Sequence, residues 1–220
     1  GTDDGNVQVT RDGGKRWTNV SKGITGVTPG SCVSYVRAGA HDAGTAYVTI
    51  DGHALGDMKP YVFVTRDYGA SWKPLAGGEL KGYAHVVLED PVNASLLFVG
   101  TEFGLFASMD GGTSWGQMKG NLPNVAVRDL AIQTREHDLL IATHGRGVYI
   151  VDDITPLRGL TAAAMNSDAA MLGGRPAEML IPASEQRFDG DDQFVGETAD
   201  ETAGINYWLK KRHVFGLLSP

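Results

Sequence analysis

One eight-residue pattern, Ser/Thr-x-Asp-x-Gly-x-x-Trp, occurs three times in this chain of 220 residues. The aspartates of the three copies lie 55 and 43 residues apart. A self-similar period of about 40 to 50 residues is typical of β-propellers and other repeat arrays. We call each copy a motif turn and assign its four fixed positions a structural role. Those positions are Thr10, Asp12, Gly14, Trp17, Thr65, Asp67, Gly69, Trp72, Ser108, Asp110, Gly112 and Trp115.

Short apolar runs flank each motif turn. In the third repeat, residues 96–108 contain two runs around a glycine turn, another run precedes them at 85–89, and a fourth follows Trp115. Short β-branched runs between Gly, Pro, Asn and Asp predict antiparallel strands, and four per repeat predict a propeller blade. The sequence thus predicts an all-β partial β-propeller over residues 1–154, with two complete and two partial blades.

An irregular extension over residues 155–220 follows the repeats. We expect a strand at 205–209, and we interpret the extension as the start of a further β region. The segment 179–182 contains a proline, which predicts an edge segment because proline cannot join a central ladder. The acidic residues within 189–204 predict a loop.

Composition limits the classes of partner. With 42% hydrophobic and 20% charged residues, the chain suits a globular protein. Its formal charge of −7 argues against a nucleic-acid partner, which needs a clustered basic surface. Cys32 is the single cysteine, so neither an intrachain disulfide nor a cysteine-rich metal site is expected. No apolar stretch reaches the roughly 18 residues of a membrane span, and no signal peptide is seen. We expect no metal and no cofactor.

The motif resembles the Asp box of the bacterial neuraminidase repeat, which sialidases, sortilin-type receptors and xyloglucanase-like propellers share. The segments Gly-Thr-Glu-Phe-Gly-Leu (100–105) and Thr-His-Gly-Arg-Gly-Val-Tyr-Ile-Val-Asp-Asp (143–153) are similar to the C-terminal blades of large bacterial sortilin-like propellers related to glycosyl hydrolases. The resemblance implies that each motif turn joins the third and fourth strands of a blade. It also implies an extracytoplasmic location, periplasmic or secreted.

Connections between strands alternate between the two faces of a propeller. The connections from strand 2 to 3 and from strand 4 to the next blade therefore lie opposite the motif turns, and binding residues concentrate on such loops. The ionisable residues that we place there form the candidate binding set: His53, His85, Glu102, Arg128, Asp129, His144 and Arg146. The alternative interpretation is structural, with His85 and Arg128 lining only a wet channel. Strand alternation predicts that Arg128 and Asp129 point to opposite sides and do not pair.

No catalytic set emerges from these residues. Glycoside hydrolysis needs two carboxylates about 5 to 10 Å apart, and the loop acids (Asp51, Asp57, Glu102 and Asp129) single out no pair. We assign no catalytic residue. The sequence favours a non-catalytic module that binds a protein, peptide or glycan through the face opposite the motif turns. The alternative is a glycoside hydrolase, sialidase-like or xyloglucanase-like, or a fragment of one.

The partial blades at the two ends of the repeat array predict self-association. We expect a homodimer in which the partner completes each half-blade, since an open array exposes strand edges and apolar faces. The three motif tryptophans are expected to be buried and equivalent.

Overall fold

A computed structural model describes residues 1–75, 77–177 and 203–211. The expected edge segment at 179–182 and residues 189–202 of the acidic loop lie outside this range. The strands are β1 (Gln8–Val9), β2 (Thr18–Asn19), β3 (Cys32–Ala38), β4 (Ala46–Gly52), β5 (Asp57–Thr65), β6 (Lys73–Pro74), β7 (Ala84–Glu89), β8 (Leu97–Thr101), β9 (Gly104–Ser108), β10 (Gly116–Met118), β11 (Val127–Gln133), β12 (Asp138–Thr143), β13 (Val148–Val151), β14 (Ala169–Leu172) and β15 (Asn206–Leu209). The helices are the 3-10 helices Ser21–Gly23 and His53–Leu55 and the short α-helices α1 (Thr155–Arg158) and α2 (Ala162–Asn166).

The strands pair antiparallel within five separate sheets. The hairpin β1–β2 forms a two-stranded blade A, and β3 to β6 form the four-stranded blade B in chain order. Strands β7 to β10 form the four-stranded blade C, and β11 to β13 form the three-stranded blade D. The expected C-terminal strand is present as β15, which pairs with β14. The division of the chain at residues 154 and 155 remains a prediction.

Apolar side chains fill the space between neighbouring blades. Blade C shows the principle, because Leu97 and Val99 of β8 belong to the cluster shared with blade B, whereas Phe98 belongs to the cluster shared with blade D. Strands β7, β8 and β9 are consequently buried along their whole length. A sheet that is buried on both faces needs a neighbour on each side. The blades therefore stack face to face, as propeller blades do.

Each motif turn is closed by its own side chains. In the third turn, the hydroxyl of Ser108 donates to Asp110 (2.7 Å) and accepts the amide of Gly112 (2.9 Å). The carboxylate of Asp110 accepts the Ser114 amide at 2.9 Å. The second turn repeats these bonds. Hydrogen bonds to Asp67, of which the one from the Ser71 hydroxyl has the largest effect, lower the pKa of this carboxyl to about 2. The turn therefore satisfies its amides locally, like an Asx turn.

The motif tryptophan joins one blade to the blade before it. The indole nitrogen of Trp72 donates to the carbonyl of Val20 (3.0 Å), and that of Trp115 donates to the carbonyl of Leu75 (2.9 Å). Both acceptors lie three residues after the tryptophan of the preceding repeat. A side chain at the motif glycine Gly69 would also collide with Val20, because an added Cβ would lie 2.7 Å from its side chain. Tryptophan and glycine thus make the contact between blades rather than within one blade.

Trp17 departs from the expectation that the three tryptophans are equivalent. It is 60% exposed, whereas Trp72 and Trp115 are 9% and 6% exposed. Its indole donates to the carbonyl of Gly14 in its own turn, at 3.1 Å. The expectation was wrong for Trp17, because its indole bonds within its own turn instead of to a carbonyl of another blade.

Blade D ends without a motif turn but keeps one element of it. Val151 pairs with Leu139 as Ser108 pairs with Leu97, so Val151 occupies the position of the motif serine. Asp153 lies two residues later and occupies the position of Asp110. The carboxylate of Asp153 accepts the amide of Thr155 at 3.1 Å, so it leads into helix α1 instead of a motif turn. Arg158 of this helix forms a two-pronged ion pair with the fully buried Asp90 of blade C. The extension therefore begins packed against the blades, on the same face as the motif turns.

The strand count changes the expected pairing of half-blades. Strand β1 precedes a motif turn and so holds the third position of its blade, which β13 also holds in blade D. Joining blades A and D would therefore give five strands, with the third position filled twice, so the two ends are not simple complements. Val148 and Ile150 on β13 are nevertheless exposed. Self-association through these ends remains a prediction.

The difference in burial predicts unequal effects of tryptophan replacement. Trp72→Ala and Trp115→Ala each remove a buried ring and an inter-blade hydrogen bond, so we expect each to lower the free energy of unfolding by about 3 to 5 kcal/mol. Trp17→Ala removes an exposed ring, and we expect a loss of about 0.5 kcal/mol. Urea unfolding of the three variants measures these values. Equal losses for all three would contradict the inter-blade role.

Candidate functional site

The innermost strands of blades B, C and D share one irregularity. Each has a register shift with one extra residue, which is Ser34 in β3, His85 in β7 and Arg128 in β11. A bulge of this kind redirects a side chain and is frequent beside functional sites. Each of the three side chains forms an inter-blade contact: Ser34 donates to the carbonyl of Ala84 (3.1 Å), and Arg128 contacts His85.

His85 is the centre of a chain of hydrogen bonds. Its Nε2 atom lies 3.1 Å from the carboxylate of Glu102, and its Nδ1 atom lies 3.2 Å from the guanidinium of Arg128. A guanidinium can only donate, so Nδ1 must accept and the ring proton must be on Nε2. The geometry therefore assigns His85 as a neutral imidazole that accepts from Arg128 and donates to Glu102.

Tyr83 and His53 extend this chain along the same face. The ring of Tyr83 meets His85 edge to face with 4.9 Å between centroids, and its hydroxyl interacts with Glu102. The ring of His53 stacks on Tyr83 at 4.6 Å, and its Nδ1 atom lies 2.7 Å from the carboxylate of Asp51. The result is one continuous set of side chains from three blades, which we call the relay. Its members are Asp51, His53, Tyr83, His85, Glu102 and Arg128.

Burial and charge set the protonation of the relay. Burial lowers the pKa of His85 below its usual 6.5, Glu102 opposes that effect, and the charge of Arg128 adds to it. Burial alone would raise the pKa of Glu102, but hydrogen bonds from His85 and Tyr83 and the charge of Arg128 together lower it. Burial and the bond to Glu102 raise the pKa of Tyr83. Near neutral pH the relay therefore holds an ionised Glu102, a neutral His85 and a protonated Tyr83.

The predicted set is only partly brought together. The structure joins His53, His85, Glu102 and Arg128 through the contacts above. Asp129 is not joined, because its carboxylate accepts the amide of Leu130 at 2.8 Å. The bulge also interrupts the strand alternation that we used to separate Asp129 from Arg128.

Two further predicted residues stand apart from the relay. His144 and Arg146 are exposed on the β12–β13 turn, and their side chains make no hydrogen bond within the described range of the chain. Tyr83 belongs to the relay but is not among the residues predicted from the sequence. It lies just before β7, and the bulge at His85 breaks the alternation that would have related the two side chains.

Comparisons with known proteins agree with the fold. No protein-family model matches this sequence, and no curated protein matches it. Among solved structures, an ancestral GH74 enzyme is similar over 68% of this chain and 23% of its own, with a TM-score of 0.50 and 15% identity. The GH74 xyloglucanase from Xanthomonas campestris is similar over 71% and 27%, with a TM-score of 0.50 and 14% identity. YCF48 bound to D1 peptide is similar over 68% and 46%, with a TM-score of 0.47 and 17% identity.

These identities show the fold alone. The chain is an all-β partial β-propeller with four-stranded antiparallel blades, as the repeats predicted. It spans about a quarter of the length of the two GH74 enzymes. Within the described residues, no helix has the length and apolar character to cross a membrane.

The relay predicts how the pKa of His85 and the stability respond to pH. Because the folded pKa lies below 6.5, the unfolded chain binds more protons between the two values. The contribution of His85 to stability is thus complete above pH 6.5 and is lost as pH falls through the folded pKa. We expect Arg128→Gln to raise the His85 pKa and Glu102→Gln to lower it further, as measured by NMR titration. A His85 pKa above 6.5, or shifts of opposite sign, would contradict the relay.

Proposed function

We propose that this chain is a non-catalytic β-propeller module that binds a protein, peptide or glycan ligand through the face opposite its motif turns. The observation that carries the proposal is the relay, in which loops and strands of three blades supply one connected set of polar side chains. Two charged members of the relay reach the solvent, which favours recognition. Arg128 is exposed, and the side chain of Glu102 is 31% exposed although it already accepts a hydrogen bond from His85.

The protonation of the relay favours binding over acid catalysis. A glycosidase needs one carboxylic acid that keeps its proton near neutral pH, which requires a raised pKa. The pKa of Glu102 is instead lowered, so it is ionised and lacks the proton that a general acid must give. Both ring nitrogens of His85 are occupied, and its side chain is only 5% exposed. These groups are arranged to hold charge in place rather than to transfer a proton.

The surroundings of the relay define the ligand chemistry. Ionised Glu102 offers acceptor oxygens for hydroxyl, amide or ammonium donors, while Arg128 offers donors for carboxylate or hydroxyl oxygens. Exposed Phe103 lies beside Glu102, and the half-exposed ring of His53 stacks on Tyr83. An aromatic surface beside paired polar groups suits either a sugar ring or a peptide with charged and apolar residues.

The alternative function is glycoside hydrolysis, with Asp51 and Glu102, the two carboxylates of the relay, as the acids. One observation favours it: each carboxylate contacts a histidine of the relay, Asp51 at His53 and Glu102 at His85, so they lie on the same part of the face. The likeness to a GH74 xyloglucanase makes xyloglucan a suitable probe for this alternative. An extracytoplasmic location and a homodimer remain proposals that accompany the binding function.

One experiment separates the two functions. The chain is incubated with xyloglucan oligosaccharides and, separately, with a displayed random-peptide library, and both binding and release of reducing sugar are measured. We expect saturable binding of one ligand class without turnover. Glu102→Gln and Arg128→Gln should each weaken the selected ligand by about tenfold, because each removes a charged hydrogen-bonding partner.

Matched controls come from an exposed ion pair on the other face. Arg135 and Glu136 lie 2.8 Å apart in the β11–β12 turn, so Arg135→Gln and Glu136→Gln change the same charges without touching the relay. Both controls should bind like the parent chain. Binding that is unaffected by Glu102→Gln and Arg128→Gln would refute the proposed face. Sugar release that Glu102→Gln abolishes would establish the hydrolase instead.

A further inference from the structure

A groove on the opposite face lies between the first and second motif turns. Its volume is about 430 Å³, and it is open to solvent. The groove is lined by Val9, Arg11, Asp12, Arg16, Thr18, Val20, Tyr68 and Ala70. These residues come from the blade A hairpin and from the second motif turn, so blades A and B together form the groove. It shares no residue with the relay.

Two guanidinium groups line this groove without an ion-pair partner among the described residues. Neither Arg11 nor Arg16 forms a salt bridge or donates a side-chain hydrogen bond within that range. The one carboxylate in the lining, Asp12, is already used by the Thr10 hydroxyl (3.0 Å) and the Arg16 amide (2.9 Å). The lining therefore carries two positive charges against one negative charge, and in a chain with a formal charge of −7 this local excess favours an anionic ligand.

Tyr68 fixes one of these guanidinium groups. The Cζ atom of Arg11 lies 4.0 Å from the centre of the Tyr68 ring, in a cation–π arrangement. This contact restrains the guanidinium, whose edge N–H groups donate to no acceptor among the described residues. Those edge donors are the ones that bind the two oxygens of a carboxylate, phosphate or sulfate in a fork.

The backbone of Tyr68 supplies an independent observation. Its φ angle is 60°, in the left-handed region, and the equivalent residues of the other two turns are Gly13 (φ 70°) and Gly111 (φ 71°). A side chain there is strained, and strain of this kind persists where the surroundings or a function require it. The second turn thus carries an aromatic ring, 39% exposed, where glycine fits without strain.

We propose that this groove is a binding site for an oxyanion group, held by Arg11 and Arg16 with Tyr68 orienting Arg11. The ligand is a carboxylate, phosphate ester or sulfate ester, because each presents two oxygens to a guanidinium edge. The site is separate from the relay and does not depend on the function proposed for it.

Anion titrations of the full chain test the proposal. Sodium phosphate, sodium sulfate and sodium acetate are added at constant ionic strength, and the Nε–Hε signals of the arginines are followed by NMR. We expect saturable shifts at Arg11 and Arg16. Preference for phosphate or sulfate over acetate identifies a tetrahedral ester as the ligand group, and the reverse preference identifies a carboxylate.

Three variants and one control complete the test. Arg11→Gln and Arg16→Gln should each weaken anion binding by about fivefold or more. Tyr68→Gly introduces the residue found in the other two turns, so it should fold normally and still weaken binding about threefold by releasing Arg11. Arg135→Gln, which removes an exposed arginine elsewhere, should have no effect. Equal shifts at every arginine, or unchanged affinity in the three variants, would overturn the proposal.

Discussion

The contacts that the two buried motif tryptophans, Trp72 and Trp115, make with the blade before each of them determine the geometry of this molecule. Trp72 donates to the carbonyl of Val20, and Trp115 donates to that of Leu75, while the motif glycines allow close approach at the same points. A blade cannot bury its two faces alone, so stability in a repeat array comes from these interfaces. They also fix the rotation from one blade to the next. The position of every loop on the opposite face follows from that rotation.

The relay is a consequence of this arrangement. His53 belongs to blade B, His85 and Glu102 to blade C, and Arg128 to blade D. No single blade contains the set, so the site exists only where three blades are correctly stacked. The inner-strand bulges add the final adjustment by turning His85 and Arg128 towards each other. A polar network in which each partner is satisfied holds its members rigidly, as a preorganised binding surface requires.

The sequence predicted the elements that depend on local chemistry. The spacing of Asp, Gly and Trp was sufficient for the blades, because turn hydrogen bonds and strand patterning act over a few residues. It also placed Glu102 and His85 on one face through the alternation of connections. It could not predict the environment of Trp17, since burial depends on a neighbouring blade. Nor could it predict the bulge at Arg128, which arises from pairing between strands, or the contact between Tyr83 and His53, which belong to different blades.

Direct observation of the His85 imidazole tests the account most directly. The relay requires that Nδ1 accepts from Arg128 and Nε2 donates to Glu102. Nitrogen-detected or long-range proton–nitrogen NMR near neutral pH distinguishes the protonation states of the ring. The account predicts a neutral ring with its proton on Nε2 and none on Nδ1. A charged imidazolium, or a neutral ring protonated on Nδ1, would contradict it, because Arg128 could then make no hydrogen bond to His85.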